Sequence, residues 1–187
     1  MPEPPPPSGR YAGTRKPKGR RQRSGLATRE FLHKTESAAR AALPAELASS
    51  VSSRLRFSLL QLHFGDPTVH YEVWVQRRQG AIEVGLHFEG PDGERNRALL
   101  DRLVARGEQL MDALGLRIEP EVWTETWTRL HETMPLHEPL DEAFASGLGA
   151  RVSAWVQACQ PLLAGSPSPS ERRKGVKARA LHPAKRR

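Results

Sequence analysis

Residues 69–89, VHYEVWVQRRQGAIEVGLHFE, decide the fold. Successive side chains of a β-strand point to opposite faces. On that spacing Val69, Tyr71, Val73 and Val75 share one face, and His70, Glu72, Trp74 and Gln76 share the other. Beyond the turn residues Arg78-Gln79-Gly80 the apolar set moves to even numbers. Ile82, Val84, Leu86 and Phe88 face one way, and Ala81, Glu83, Gly85, His87 and Glu89 face the other. Two antiparallel strands keep both apolar sets on one side only when paired residue numbers add to an odd value. Loops of two or four residues both satisfy this, and Gly80 supplies the positive φ that such turns need. The two-residue loop Gln79-Gly80 pairs Val75 with Val84, Val73 with Leu86 and Tyr71 with Phe88. It also sets Glu72 against His87, His70 against Glu89, and Trp74 against Gly85, where an indole can cover a strand glycine.

Working outward, residues 55–64, LRFSLLQLHF, read as one more strand, apolar on both faces and therefore central or covered twice. Before it, Phe31, Leu32, Thr35, Ala38 and Ala42 recur at three- and four-residue steps, which predicts a helix over 27–43. Pro44 breaks that helix and can begin a second one over 44–52. After the hairpin, Asp92 can cap a helix over 94–114 with Gly115 as its stop. Leu99, Leu103, Leu110 and Leu114 form its stripe, and Gly107 on that stripe predicts a close approach to the sheet. Residues 116–119 suit a short strand. Residues 121–132, EVWTETWTRLHE, fit a strand or a helix, and three threonines with two tryptophans favour the strand. A last helix is predicted over 139–160, with Leu140, Phe144, Leu148, Val152, Trp155 and Cys159 as its apolar stripe. Gly147, Ala150 and Ala154 are its small-residue face, and Pro161 is its end. The order α-α-β-β-β-α-β-β-α implies an α+β fold, a mostly antiparallel sheet of about five strands with helices packed on one face.

The formal net charge of +8 over 187 residues hides a division. Residues 1–25 hold seven Lys/Arg and one acid, and residues 165–187 hold eight and one. The intervening 26–164 is left at −5, so an acidic domain lies between two basic tails. The first tail, with its proline run, cannot bury apolar area and is expected to be disordered, as is the second. The single Cys159 excludes an internal disulfide and points to a reducing compartment. The N-terminus has no apolar core of a secretory leader, and no apolar run approaches the ~18 residues of a membrane span. Twenty-three Arg against six Lys suggest a GC-rich, bacterial genome, and the expected location is the cytoplasm.

Segment 83–163 resembles a bacterial domain family of unknown function that accompanies restriction-modification and related defence proteins. The resemblance rests on Phe88-Glu89 ending a strand and Asp92-x-Glu94-x-Asn96 opening a helix. Leu114-Gly115, a polar strand with Arg129, and a closing helix with Trp155 and Leu162-Leu163 complete it. It implies an association with defence systems and brings no catalytic residues. A restriction-type nuclease needs clustered acids and an acid-x-Lys on a central strand to hold Mg²⁺. No acid-x-Lys occurs in this sequence, and Lys34 is the only lysine of 26–164.

Three features carry the functional reading. His70, Glu72, Glu83, His87 and Glu89 gather on the polar face of the hairpin, with His63 nearby, and could ligate a metal or move a proton. The plainer reading is a solvated sheet face with weak imidazole–carboxylate pairs, and no cofactor or resident metal is expected. Trp74 on that face is a candidate for stacking, whereas Trp123 and Trp127 are read as core or helix–sheet seam. His131 and His137 flank Pro135 in an expected surface loop. The tail cations Arg15, Lys16, Lys18, Arg20, Arg21, Arg23, Arg172, Arg173, Lys174, Lys177, Arg179, Lys185, Arg186 and Arg187 can neutralise phosphates without reading sequence. The sequence thus suggests a small cytoplasmic binding module, non-catalytic, partnered by nucleic acid or a nucleic-acid-bound protein and not by membrane. A ligand- or metal-binding domain using the His/Glu face, or a protein–protein adaptor, is the alternative.

Overall fold

A computed structural model describes residues 25–115 and 118–163. Both basic tails except Gly25, and with them every tail cation named above, lie outside the described residues. The elements are helices α1 (Thr28–Ala42) and α2 (Ala45–Ser50) and strands β1 (Ser52–Arg56), β2 (Leu59–His63), β3 (Val69–Gln76) and β4 (Ala81–Phe88). Helices α3 (Gly93–Val104) and α4 (Gly107–Leu114), strands β5 (Glu119–Val122) and β6 (Thr128–Pro135), and helix α5 (Glu142–Leu163) follow. The strands form one antiparallel sheet in the order β1-β2-β3-β4-β6-β5, so the fold is α+β with six described strands.

The hairpin of 69–89 forms with its apolar face inward, through the four-residue loop. Gln79 and Gly80 donate backbone hydrogen bonds to Gln76 and Arg77, with Gly80 at φ 63°. The Gly80 carbonyl in turn accepts from Leu136 N, which ties the loop to the end of β6. The pairs are therefore Val75–Ile82, Val73–Val84, Tyr71–Leu86 and Val69–Phe88. On the opposite face His70 meets His87, Glu72 meets Gly85 and Trp74 meets Glu83. Trp74 consequently does not cover Gly85, because the longer loop slides every pair by two residues without turning a side chain over.

Four other expectations are corrected. Residues 55–64 are not one strand but the hairpin β1–β2, turning at Phe57-Ser58, and Leu55 pairs with Leu60. The shift from odd to even apolar positions marks that turn, as it does at Gly80. The 94–114 helix is two helices with a break at Ala105-Arg106. Gly107 lies just after the break, and a Cβ there would meet nothing within 4 Å, so it does not serve a close approach to the sheet. In 121–132 the strand reading holds only at the ends. β5 stops at Val122 and β6 starts at Thr128, with Trp123–Trp127 as the turn between them. Of the expected strand over 116–119, residues 116 and 117 are outside the described set. Finally, α5 does not stop at Pro161 but continues to Leu163. A proline only one turn from a helix end forfeits a single backbone bond there.

The core lies between the sheet and the helices. Leu60, Leu62, Tyr71, Val73, Val75, Ile82, Val84, Leu86, Phe88 and Leu130 from the sheet are buried with Phe31, Leu32, Leu103, Leu148, Val152, Trp155 and Val156 from the helices. Helix α5 crosses α1 at Gly149, where an added Cβ would fall 2.5 Å from Ala38 Cβ and 2.7 Å from the Thr35 carbonyl oxygen. The close crossing is at Gly149, not on the Gly147 face suggested by the sequence: Gly147 has nothing within 4 Å of its Cβ position. One charged side chain of β6 also faces the helices. Glu132, 3% exposed, accepts from Arg151 Nε and Nη2 at 2.6 and 2.9 Å and from Trp155 Nε1 at 2.7 Å.

Candidate functional site

The side of the sheet turned away from the helices carries the ionisable residues. Alternation places His63 of β2, His70, Glu72 and Trp74 of β3, and Glu83 and His87 of β4 there. Register with β4 and β5 adds Arg129 and His131 of β6 and Glu119 and Glu121 of β5. This face is not solvated. His70, Glu72, Glu83 and His87 are 2%, 5%, 4% and 0% exposed, and Arg129 and His131 are also buried. Strand propensity and alternation dictate which residues lie on a face, but not what covers it.

Two devices cover it. The β5–β6 turn brings Trp123 edge-on to the His87 ring at 5.9 Å, and the Arg129 guanidinium lies 4.6 Å over the Trp123 ring. Asn96, wholly buried at the start of α3, fixes that turn by donating to the carbonyls of Gly90 and Thr126. Gly85 is the second device. A Cβ on it would lie 2.6 Å from His131 Cβ and 2.7 Å from the Leu130 carbonyl oxygen, about half the usual cross-strand Cβ spacing. Bare backbone at Gly85 lets β6 lie close beside β4 and brings His131 in to the middle of the face. Gly85→Ala is therefore expected to destabilise the fold by about 1–3 kcal/mol, since the obstructing atoms are backbone and Cβ. A urea midpoint unchanged from the parent chain would show that the strands part freely.

The charges are paired with one another. His70 and His87 stack with centroids 5.5 Å apart and planes at 20°. Glu83 accepts from Arg129 Nη1 at 2.7 Å and from Gln76 Nε2 at 3.2 Å, with His87 Nε2 3.4 Å away. Arg129 continues to Glu121, 2.6 Å from its Nη2. Burial raises the Glu83 carboxyl, but His87, Arg129 and His131 outweigh it and hold Glu83 below its ordinary value. Glu72 is held low in the same way, against its burial, by His70, the His87 charge and Gln61. Burial lowers His87, yet Glu83, Glu89 and Glu72 around it prevail and raise it to about 9. His131 is lowered by burial and by the Arg129 charge.

His70 has a defined tautomer. Its Nδ1 lies 3.0 Å from the Pro67 carbonyl oxygen, which can only accept, so Nδ1 carries the proton. Its Nε2 faces the Gln61 amide nitrogen at 3.0 Å, and that amide also donates to Glu72 Oε2 at 2.8 Å. The His70 Nε2 lone pair accepts from that amide, and the same nitrogen lies 3.5 Å from Glu72 Oε2 and 3.9 Å from Glu89 Oε1. His87 Nδ1 is 3.4 Å from the same Glu89 oxygen.

All five residues expected on the hairpin face are brought together, as buried and partly buried groups rather than a wet surface. Trp74 is half-buried on the same face, opposite Glu83. Trp123 and Trp127 are not core: they are 39% and 36% exposed in the turn. His131 is in β6 and buried, not in a surface loop, whereas His137 is exposed. Cys159 is buried in α5, where burial pushes its thiol up to about 12. Gln61, Asn96, Glu121, Arg129 and His131 join the site without having been singled out for it. For Gln61, Glu121, Arg129 and His131 the signal was polar alternation on strands whose partners were not yet fixed; Asn96, in α3, carried none. No protein-family model matches the chain, and no curated protein or solved structure matches it.

Proposed function

We propose that this chain is a non-catalytic binding module that takes a cation on the face of its sheet turned away from the helices. The observation that carries the reading is the concentration of carboxylates there. Glu72, Glu83, Glu89 and Glu121 surround Arg129 and the stacked histidines, with His70 Nε2 3.5 Å from Glu72 and 3.9 Å from Glu89. Desolvated carboxylate oxygens facing one another are stabilised by added positive charge. Trp123 at the rim could cover an organic cation as it covers Arg129. Calorimetric titration of the full chain with Zn²⁺, Mn²⁺, Mg²⁺, tetramethylammonium and spermidine tests this. At least one should bind and lose about tenfold or more in affinity in Glu72→Gln. Failure of all five to bind would count against the reading.

A second reading concerns the tails and rests on the charge division of the sequence, +6 and +7 at the ends around −5. Flexible arginine-rich ends fit electrostatic contact with nucleic acid or with a protein already bound to it. The resemblance over 83–163 suggests the setting of bacterial defence systems. A single buried cysteine fits the cytoplasm, and among the described residues no helix is long and apolar enough to cross a membrane. DNA and RNA titrations of the full chain and of a 25–163 chain, at two salt concentrations, test the tails. If six phosphates are engaged, the full chain should lose on the order of 10³ in affinity between ~50 and ~200 mM salt. Equal and salt-insensitive affinity of the two chains would remove the tails' role.

A further inference from the structure

We propose that His70, Glu72, His87 and Glu89 form a binding site for one divalent first-row transition-metal ion, of the zinc class. This rests on the cation-binding reading above and names the cation. One ligand atom from each of the four lies within 4.8 Å of the other three. An ion bonded tetrahedrally at ~2.0–2.1 Å requires ligand–ligand separations of about 3.3 Å. His70 Nε2 to Glu72 Oε2 is 3.5 Å, His87 Nδ1 to Glu89 Oε1 is 3.4 Å, and His70 Nε2 to Glu89 Oε1 is 3.9 Å. Small rotations of side chains already in place would close the shell. Two imidazoles and two carboxylates suit zinc-class ions better than magnesium or calcium, which favour all-oxygen shells.

Two further observations point to a ligand. Metal-binding histidines characteristically donate their other ring N–H to a carbonyl or carboxylate, which fixes tautomer and orientation. His70 does so through Nδ1 to Pro67 O, and His87 presents Nε2 to Glu83 Oε1 at 3.4 Å. Glu83 is itself held by Arg129 and Gln76, so the outer shell is complete. In addition, the His87 ring is wholly buried, and its Nε2 makes no aligned hydrogen bond although Glu83 Oε1 lies 3.4 Å away. Binding of an ion at Nδ1 would leave the proton on Nε2 and draw that N–H toward Glu83. The Gln61 amide, which bridges His70 and Glu72, would withdraw from the position the ion takes.

The test uses the full chain without an affinity tag, stripped with a chelator and titrated with Zn²⁺ against a competing chromophoric chelator. Co²⁺ serves as the spectroscopic probe. One Zn²⁺ per chain is expected, together with the strong visible bands of four-coordinate Co²⁺. His87→Ala and Glu89→Gln should each weaken binding about 100-fold or more, and Glu83→Gln about 10–100-fold through the outer shell. His137→Ala, at an exposed histidine away from this face, should change affinity by less than about threefold. Should His87→Ala fail to fold by circular dichroism, Glu89→Gln decides the matter, since Glu89 is 19% exposed and at the strand end. Binding weaker than ~100 μM, or full binding retained in Glu89→Gln, overturns the assignment. If metals fail while tetramethylammonium or spermidine binds, the metal site falls and the cation-binding reading survives. If every cation fails, both fall.

Discussion

Replacing Gly149 with leucine is expected to cost roughly 3–5 kcal/mol, enough to leave a domain of this size largely unfolded. The first atom of any side chain there would stand 2.5 Å from Ala38 Cβ, 2.7 Å from Ala39 N and 2.7 Å from Thr35 O. Two of these three atoms belong to the backbone of α1, so no rotamer change clears the space. The helices must separate, and separation exposes Phe31, Leu32 and Ala39 on one side and Leu148, Val152 and Val156 on the other. Gly147, two residues away, provides the control. It is exposed, with nothing near its Cβ position. Gly147→Ala should therefore stabilise the chain by about 0.5–1 kcal/mol through helix propensity alone. Urea denaturation of both variants checks the pair of signs. A Gly149→Leu chain within ~1 kcal/mol of the parent would mean that α1 does not lie against α5 as described.

The second large effect is expected at Glu132. Truncation to alanine should cost about 3–5 kcal/mol, because it strands the Arg151 guanidinium and the Trp155 indole N–H beside the core. Arg151 also donates to the Leu114 carbonyl at 2.6 Å and is 18% exposed, so part of its charge reaches water and the lower end of the range is favoured. The double variant Glu132→Leu with Arg151→Met should recover most of the loss, since it removes both charges and keeps the volume. Denaturation midpoints of the single and double variants form a cycle. A double variant as unstable as Glu132→Ala would show that the ion pair is not the source of the effect.

The parity rule shows how much was legible. At 69–89 the exchange of apolar residues from odd to even numbers correctly implied a hairpin with a buried face. The same exchange occurs in 55–64, from Leu55 to Leu60 and Leu62, and there it means a turn rather than a doubly covered strand. Phe57 forms that turn at φ 46° and stands 95% exposed. A large aromatic in such a place contradicts both turn propensity and burial preference, so composition pointed the other way. The tryptophans were misplaced for a related reason. Trp123 and Trp127 look like core by size, but a tight β5–β6 turn holds them at the rim of the polar face.

The sequence alone determined the fold class, the existence and inward face of the central hairpin, and the membership of its polar face. These follow from period-two alternation and turn chemistry, which are local properties of the chain. Packing of the whole sheet settled the loop length, and with it that His70 meets His87 and Glu72 meets Gly85. It also decided that β6, not β5, lies beside β4, so that Arg129 and His131 complete the site while Trp123 roofs it. Loops of either length satisfy the local rules equally, and strand neighbours far apart in sequence are selected by packing of the whole sheet against α1 and α5. Burial of the His/Glu face was illegible for the same reason: Trp123 and Arg129, which exclude water there, lie 36 and 46 positions along the chain from His87 and Glu83.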